Sequence, residues 1–424
     1  MSLAGRLLFI IGLGASYRIR LIGLIGVSEV LVFLWAPLIF SNEYPFLRRN
    51  GFGTLLTLIF MTMIGCVVSS VANHTQFAYF CRGFAQIYSL FSGVVVIHNL
   101  LRKDPKSIKW LALGLGLGPL LVFLLQGGDL NLEFEMATGG SSAFTRMRVL
   151  ADLIRIPVAG WYYNLPLWCS TVAPFVFGAV CLIRSASGRS LAMMLMGTGL
   201  LAFVVRRQNK RLLLISKHFI RFSIGIAVFL LVFKATYSYL APRGYLGEVA
   251  RAKYEFQTQG GKGIISVLMG GRPQVFAGIY VALKKPIIGF GPWARDKEGY
   301  EAEFYEHYAS EYARALRSRE RKMQYGKFHV LGGHSHMISF WTWFGIFGLI
   351  FWIYVLVMVF RLFKTNISAM PVFFGFICAY VPAHVWHILF SPFSARIQTA
   401  ALITVVMLMN NEGRKRRLSA GIHV

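Results

Sequence analysis

Two histidines stand two residues apart in Gly332-Gly333-His334-Ser335-His336, where a polar stretch gives way to a long apolar run. A neutral imidazole titrates near physiological pH, so one such ring suits a general base that takes a proton from a hydroxyl. Rings at i and i+2 do not share a helical face. A joint metal site would therefore need the non-helical turn, and each ring also suits a capping or interfacial role. Arg189, in Ser187-Gly188-Arg189-Ser190, opens an apolar segment, and Arg272, in Gly270-Gly271-Arg272-Pro273, opens another. A guanidinium keeps its charge at any working pH and grips phosphate oxygens two at a time. Two of them beside an imidazole suit an anionic headgroup such as a diphosphate. Taken singly, each arginine is as much at home as an interfacial anchor.

Other chemistries are poorly provided for. No paired carboxylates flank the apolar segments, and there is no P-loop, no GxSxG elbow and no HExxH. Metal-dependent phosphotransfer normally needs such carboxylates, so a Mg-dependent mechanism is disfavoured. Cys66, Cys81, Cys169, Cys181 and Cys378 lie in or beside apolar runs and form no CxxC pair. Buried, inert thiols are expected, without disulfides or a thiolate metal site. His98, His218, His384 and His387 sit within apolar runs, and packing explains them.

The elements that must hold these residues follow from composition. The chain has 424 residues, 56% apolar and 14% charged, with a mean hydropathy of +0.58. So few charges cannot cover a water-soluble protein of this size, where about 25% is usual. A soluble enzyme, a disordered chain and a disulfide-rich secreted domain are all excluded, leaving an all-α polytopic membrane protein. Stretches near the 20 or so residues needed to cross a bilayer occur at 21–40, 52–73, 83–101, 110–126, 164–184, 190–206, 213–236, 336–360, 370–390 and 396–410. The expectation is about 10–12 transmembrane helices. Residues 7–16 are too short to cross alone, and 127–163 and 238–333 are too polar. No small-residue cleavage site follows the first apolar run, so that run is expected to stay in the chain. The organisation reads as an N-terminal bundle over 1–237, a helical insertion over 238–333, and C-terminal spans with a basic tail over 334–424.

The net charge of +27 would suggest nucleic acid in a soluble protein. In a membrane protein it reads as orientation-setting and lipid-facing charge, with no nucleic-acid partner. Arg414-Lys415-Arg416-Arg417, Arg206-Arg207 and the Arg361/Lys364 pair then belong inside, and the insertion and Arg189 outside. Arg102-Lys103-Asp104-Pro105-Lys106 falls outside on a ten-span count, against the rule, unless 142–163 hides a further crossing. Within the insertion, a helix should run into Lys284-Lys285 and stop at Pro286, with Gly289, Gly291 and Pro292 forming a turn. A second helix, acidic in its first half and basic in its second, is expected over 297–323.

Three segments, in order, resemble motifs of the bacterial O-antigen ligase and polymerase superfamily. Gly271 to Ala294 read GRPQVFAGIYVALKKPIIGFGPWA, His334 to Phe351 read HSHMISFWTWFGIFGLIF with Gly345 and Gly348 correctly spaced, and Ser187-Gly188-Arg189 precedes a span. Ser335 stands where Asn is usual in that family, and Phe344 where Glu is common. The likeness covers roughly residues 160–410. It implies a membrane glycosyltransferase of the GT-C-like type, inverting and metal-independent, without a cofactor. The donor would be an undecaprenyl-diphosphate-linked glycan, met at the periplasmic face of the bacterial inner membrane. The acceptor would be lipid A–core for a ligase, or another lipid-linked glycan for a polymerase. In that reading Arg272 and Arg189 neutralise the leaving diphosphate and His334 takes the acceptor's proton. His336, Trp293 and Lys285 would bind and position substrate. A transporter or flippase for lipid-linked glycans is the alternative of another class. It would want cations lining a path, whereas Lys234, Arg82 and Arg221 are scattered.

Overall fold

The computed structural model describes residues 1–20, 24–125, 142–166, 168–184, 189–208, 239–240, 242–245, 251, 254, 273–307, 330–332, 335–365, 370–391 and 396–419. Of these about 84% are helical, as expected of the all-α class. The chain opens with α1 (Leu3–Gly14), a two-stranded antiparallel ribbon of β1 (Arg18–Arg20) and β2 (Leu24–Gly26), α2 (Val27–Arg49), α3 (Gly53–Ala72), α4 (Phe77–Lys103) and α5 (Ile108–Leu125). It continues with α6 (Ser142–Trp161), α7 (Ala173–Arg184), α8 (Arg189–Gln208), α9 (Pro273–Lys284) and α10 (Tyr300–His307). It closes with α11 (His336–Phe344), α12 (Ile346–Thr365), α13 (Phe374–Phe390) and α14 (Arg396–Ser419).

Among the described residues five helical stretches are long and apolar enough to cross a membrane: Val27–Arg49, Gly53–Ala72, Phe77–Lys103, Pro105–Leu125 and Pro371–Phe390. Their outward faces carry exposed Leu34, Leu38, Val71, Leu124 and Leu125. Leaving such side chains in water costs roughly 1.5–3 kcal/mol each, a cost that hydrocarbon removes. Helix α4 forms the centre. Every residue from Ser89 to Leu101 is buried, and the polar His98 and Asn99 among them are paired with Glu43. Lipid tails are as apolar as leucine, so close approach has to hold the bundle together. Gly114 on α5 shows this: a Cβ there would lie 2.4 Å from the Phe9 carbonyl oxygen of α1.

The structure departs from the sequence expectation at three segments. The run 336–360 is not one helix: Gly345, at φ +63°, separates α11 from α12. The Ile346 amide donates to the Ile287 carbonyl at 3.1 Å, and a Cβ on Gly345 would lie 1.9 Å from that oxygen. Residues 142–161, read as too polar to enter the bundle, form α6 and pack against α5 and α13. The misleading charges pair one turn apart, with Arg155 donating to Asp152 at 2.9 Å, and Arg155 is buried. The candidate span 164–184 is shorter than expected: a π turn over Trp168–Val172 leads into the 12 residues of α7. The candidate 213–236 lies outside the described residues.

Contacts define the two ends of the bundle. At one end Ser2 bonds Asp104 and Ser107, Asn50 meets His98 and Asn411, and Asn410 donates to the Met358 carbonyl. Lys109 packs against Gly160, and the Tyr162 hydroxyl reaches the Ala202 carbonyl. Arg48, Arg49, Arg102, Lys103 and Lys106 therefore gather there, as do the closing turns of α8, α12 and α14. Helix α6 runs back through the bundle, antiparallel to α5, with Gly160 beside Lys109 at its end. The 73–76 turn, the 285–295 segment and the start of α12 meet at the opposite end, where Asn73 donates to the Gly289 carbonyl at 3.0 Å.

Candidate functional site

At that opposite end lies a cavity of about 470 Å³. One wall is the turn after α3, from Ala72 to Gln76, with Tyr79 of α4; the other runs from Lys285 through Phe290 to Tyr300, closed by Leu331. Pro286 ends α9 after Lys284, as the sequence predicts, and the chain then turns on Gly289 and Gly291, at φ +77° and +83°. A Cβ on Gly291 would lie 2.3 Å from the Thr75 hydroxyl, so glycine lets the two walls touch. Backbone bonds pin the turn to α11: the Phe290 amide donates to Thr342 at 2.8 Å and the Gly291 amide to Trp343 at 3.0 Å.

Trp293 follows in a left-handed conformation, φ +57°, with its ring stacked on Trp343 at 5.4 Å. Such a conformation is uncommon for a large side chain and marks a position held by its surroundings. The next residues are held by the far strand. The Leu331 amide donates to the Ala294 carbonyl at 2.7 Å, and Arg295 bridges to Val330. Trp343 in turn donates its indole N–H to the Leu331 carbonyl.

The cavity's charges are mixed and mostly engaged. Lys285 donates to the Asn73 amide oxygen at 3.2 Å and lies 3.5 Å from the Glu298 carboxylate. Arg295 donates to the Tyr79 hydroxyl at 2.9 Å. The Tyr300 hydroxyl and then Lys285 hold the Glu298 carboxyl below the usual carboxylate range. Asp296 is the buried member. Burial, and next the nearby charge of Glu301, push its carboxyl above the usual range. One of its oxygens accepts from the Glu301 and Ala302 amides at 3.1 and 3.4 Å and so caps α10. Phosphate, hydroxyl and aromatic-stacking contacts are all available to a ligand here.

Of the residues singled out from sequence, Trp293 and Lys285 both line this cavity. His336 does not: it is buried at the start of α11, against Trp352 at 5.1 Å and His387 at 5.9 Å. Ser335 caps that helix and donates to the Ile388 carbonyl at 2.7 Å, tying α11 to the end of α13. Arg272 and His334 lie outside the described residues. Arg189 is the first residue of α8, and its side chain lies outside them too. Helix α8 runs antiparallel to α13, with Gly197 against Pro382 and Thr198 near Ala379. The backbone of Arg189 therefore stands at the cavity's end of the bundle. The expected helix over 297–323 is described only as α10, and 308–329 lie outside.

Sequence reasoning missed Asn73, Tyr79, Arg295 and Asp296. Asn73 and Tyr79 lie more than 200 residues before the turn they face, and no spacing rule links them. Asp296 had a local signal, an aspartate just ahead of an acid-rich helical run, which is where a capping side chain belongs. Among the described residues no three of His, Cys, Asp and Glu converge as a metal-ligand set. No protein-family model matches the chain, and no curated protein matches it.

Proposed function

We propose that this chain is a membrane glycosyltransferase that moves an undecaprenyl-diphosphate-linked glycan onto an acceptor hydroxyl, as an O-antigen-type ligase or polymerase. The observation that carries the reading is the cavity on which Trp293 and Lys285 meet, with Arg295, Tyr79 and Tyr300 beside them. It combines cations for a diphosphate with aromatic faces for sugar rings. It also lies at the end of the bundle away from the loops at 48–49 and 102–106, and under the positive-inside rule this supports a periplasmic site. In sequence, His334 follows the cavity residue Leu331 by three positions.

In this mechanism the acceptor oxygen attacks the anomeric carbon from the face opposite the diphosphate, inverting it. His334 takes the hydroxyl proton as the new carbon–oxygen bond forms. The bond from the anomeric carbon to the diphosphate oxygen breaks, and undecaprenyl diphosphate leaves. Arg272 and Arg189 balance the charge that grows on the leaving group. The test is transfer by the purified protein from a polyprenyl-diphosphate-linked glycan, with chelator present. Activity should persist in chelator, and His334→Ala should lower turnover by about 10²–10⁴-fold. Loss in chelator removes the metal-free step, and wild-type turnover in His334→Ala removes the base.

Two ion pairs, each with one buried member, favour a competing reading. Arg396 meets Glu29 at 2.6 Å, and Arg155 meets Asp152 at 2.9 Å. Ionisable groups inside a membrane bundle often mark a substrate path, as a transporter of lipid-linked glycans would need. Movement of such a lipid across vesicles without release of polyprenyl diphosphate would decide for the transporter.

A further inference from the structure

Asp296 uses only half of its carboxylate. Its Oδ2 caps α10 through the Glu301 and Ala302 amides. Its Oδ1 is buried and has no hydrogen-bond partner among the described residues. The residue as a whole is 8% exposed and lines the cavity. A buried acceptor without a donor costs about 1–3 kcal/mol, so an unmatched oxygen beside a cavity points to a donor carried by a ligand. A second orphan lines the same cavity: the indole N–H of Trp293 is also buried without a partner among the described residues. One orphan needs a donor and the other an acceptor. Sugar hydroxyls can supply both.

The neighbouring charges narrow the choice further. Lys285, Arg295 and Lys297 share the cavity with Asp296, and they disfavour a cationic ligand as the donor. The first two already have partners in Asn73, Glu298 and Tyr79, so neither is spare to serve Oδ1. The neutral, hydroxyl-rich sugar portion of a ligand meets all three conditions, and Tyr79, Trp293 and Tyr300 offer the flat faces against which a sugar ring packs. Backbone bonds at Ala294 and Leu331 and the stacked Trp293 fix the carboxyl in place, as a group that selects among hydroxyl positions must be.

We propose that Asp296 is a specificity-determining residue that accepts a hydrogen bond from a sugar hydroxyl of the bound ligand, with the Trp293 indole N–H as its complementary donor. The proposal deepens the glycosyltransferase reading and rests on it for the class of ligand. Asp296→Asn separates the two duties of the side chain. The amide oxygen still caps α10, while the Oδ1 position becomes an N–H donor. Trp293→Phe keeps a ring against Trp343 and removes only the N–H.

The experiment measures binding of two probes to the full-length protein in nanodiscs: a polyprenyl-diphosphate-linked disaccharide and the same polyprenyl diphosphate without sugar. Asp296→Asn should weaken the disaccharide probe about tenfold or more. Binding of the sugar-free lipid should stay close to wild type, and the melting temperature should not fall below it. Trp293→Phe should weaken the disaccharide probe in the same selective way. Unchanged disaccharide binding in Asp296→Asn would reduce Asp296 to a helix cap. Equal binding of both probes by the wild type would show that no sugar hydroxyl is read, and would also overturn the proposal. If the wild type transfers glycan but Asp296→Asn binds normally, only the role of Asp296 fails. If selective loss appears but the wild type transfers nothing, the transferase reading fails and the hydroxyl site stands.

Discussion

Asp296 illustrates how burial makes a single carboxyl report on its surroundings. Its carboxyl titrates above the usual aspartate value because it is buried and stands near Glu301. A group whose folded pKa is raised binds protons more tightly in the folded state. Its stabilising contribution is complete below the unfolded value of about 3.9 and is lost as pH rises through the folded value. Asp296→Asn is neutral at every pH and escapes this loss. The melting temperature of Asp296→Asn should therefore gain on wild type as pH rises from about 4, as scanning calorimetry in detergent would show. A constant difference at all pH values would contradict the shift. The other charges of the cavity were readable as types but not as partners. Lys285 could be named from its place before Pro286, whereas its bond to Asn73 joins positions 212 residues apart.

Helix breaks decide where the site lies. The expectation of one span over 336–360 followed from unbroken hydrophobicity, which carries no information on where a backbone must bend. Gly345 bends because the 287–291 turn presses against it, with the Ile287 carbonyl in the space a side chain would fill. Gly345→Ala should destabilise by roughly 1–3 kcal/mol from backbone strain alone, with the clash at Ile287 added, and thermal unfolding would register it. A neutral result would mean that the turn does not rest on α11 and α12. Element ends with local signals were legible: Pro286 behind α9, and the run at 7–16 too short to cross. Helix α6 was not, because its charges count against a span until Asp152 and Arg155 are seen to neutralise each other inside the bundle.

At the scale of the whole molecule, charge is sorted by end. The loops at 48–49 and 102–106 and the closing turns of α8, α12 and α14 share one end, and the cavity occupies the other. A cysteine placed at the exposed Lys297 should react with a membrane-impermeant thiol reagent on intact cells, in a background lacking the five native cysteines. One placed at Lys103 should react only after permeabilisation. The reverse pattern would invert the orientation and put the cavity on the cytoplasmic side. The sequence alone could not assign the 102–106 loop, since that depends on the parity of crossings and hence on α6.

By itself the sequence determined the solvent of this protein. With 56% apolar residues and 14% charged, its chain carries helices suited to hydrocarbon, five of them among the described residues long enough to cross it, because hydrophobic transfer is a sum over residues and needs no knowledge of neighbours. Trp293 and Lys285 were marked as site residues only through the family resemblance of the 271–294 segment. Tertiary structure alone decided which distant residues face one another. Asn73 and Tyr79 come to the 285–300 segment because glycines at 289, 291 and 345 allow backbones to touch. Asp296 acquires a buried oxygen without a partner only in the folded chain, where its other oxygen caps α10. Such meetings depend on packing across the chain, and packing is a property of pairs that no single stretch of sequence contains.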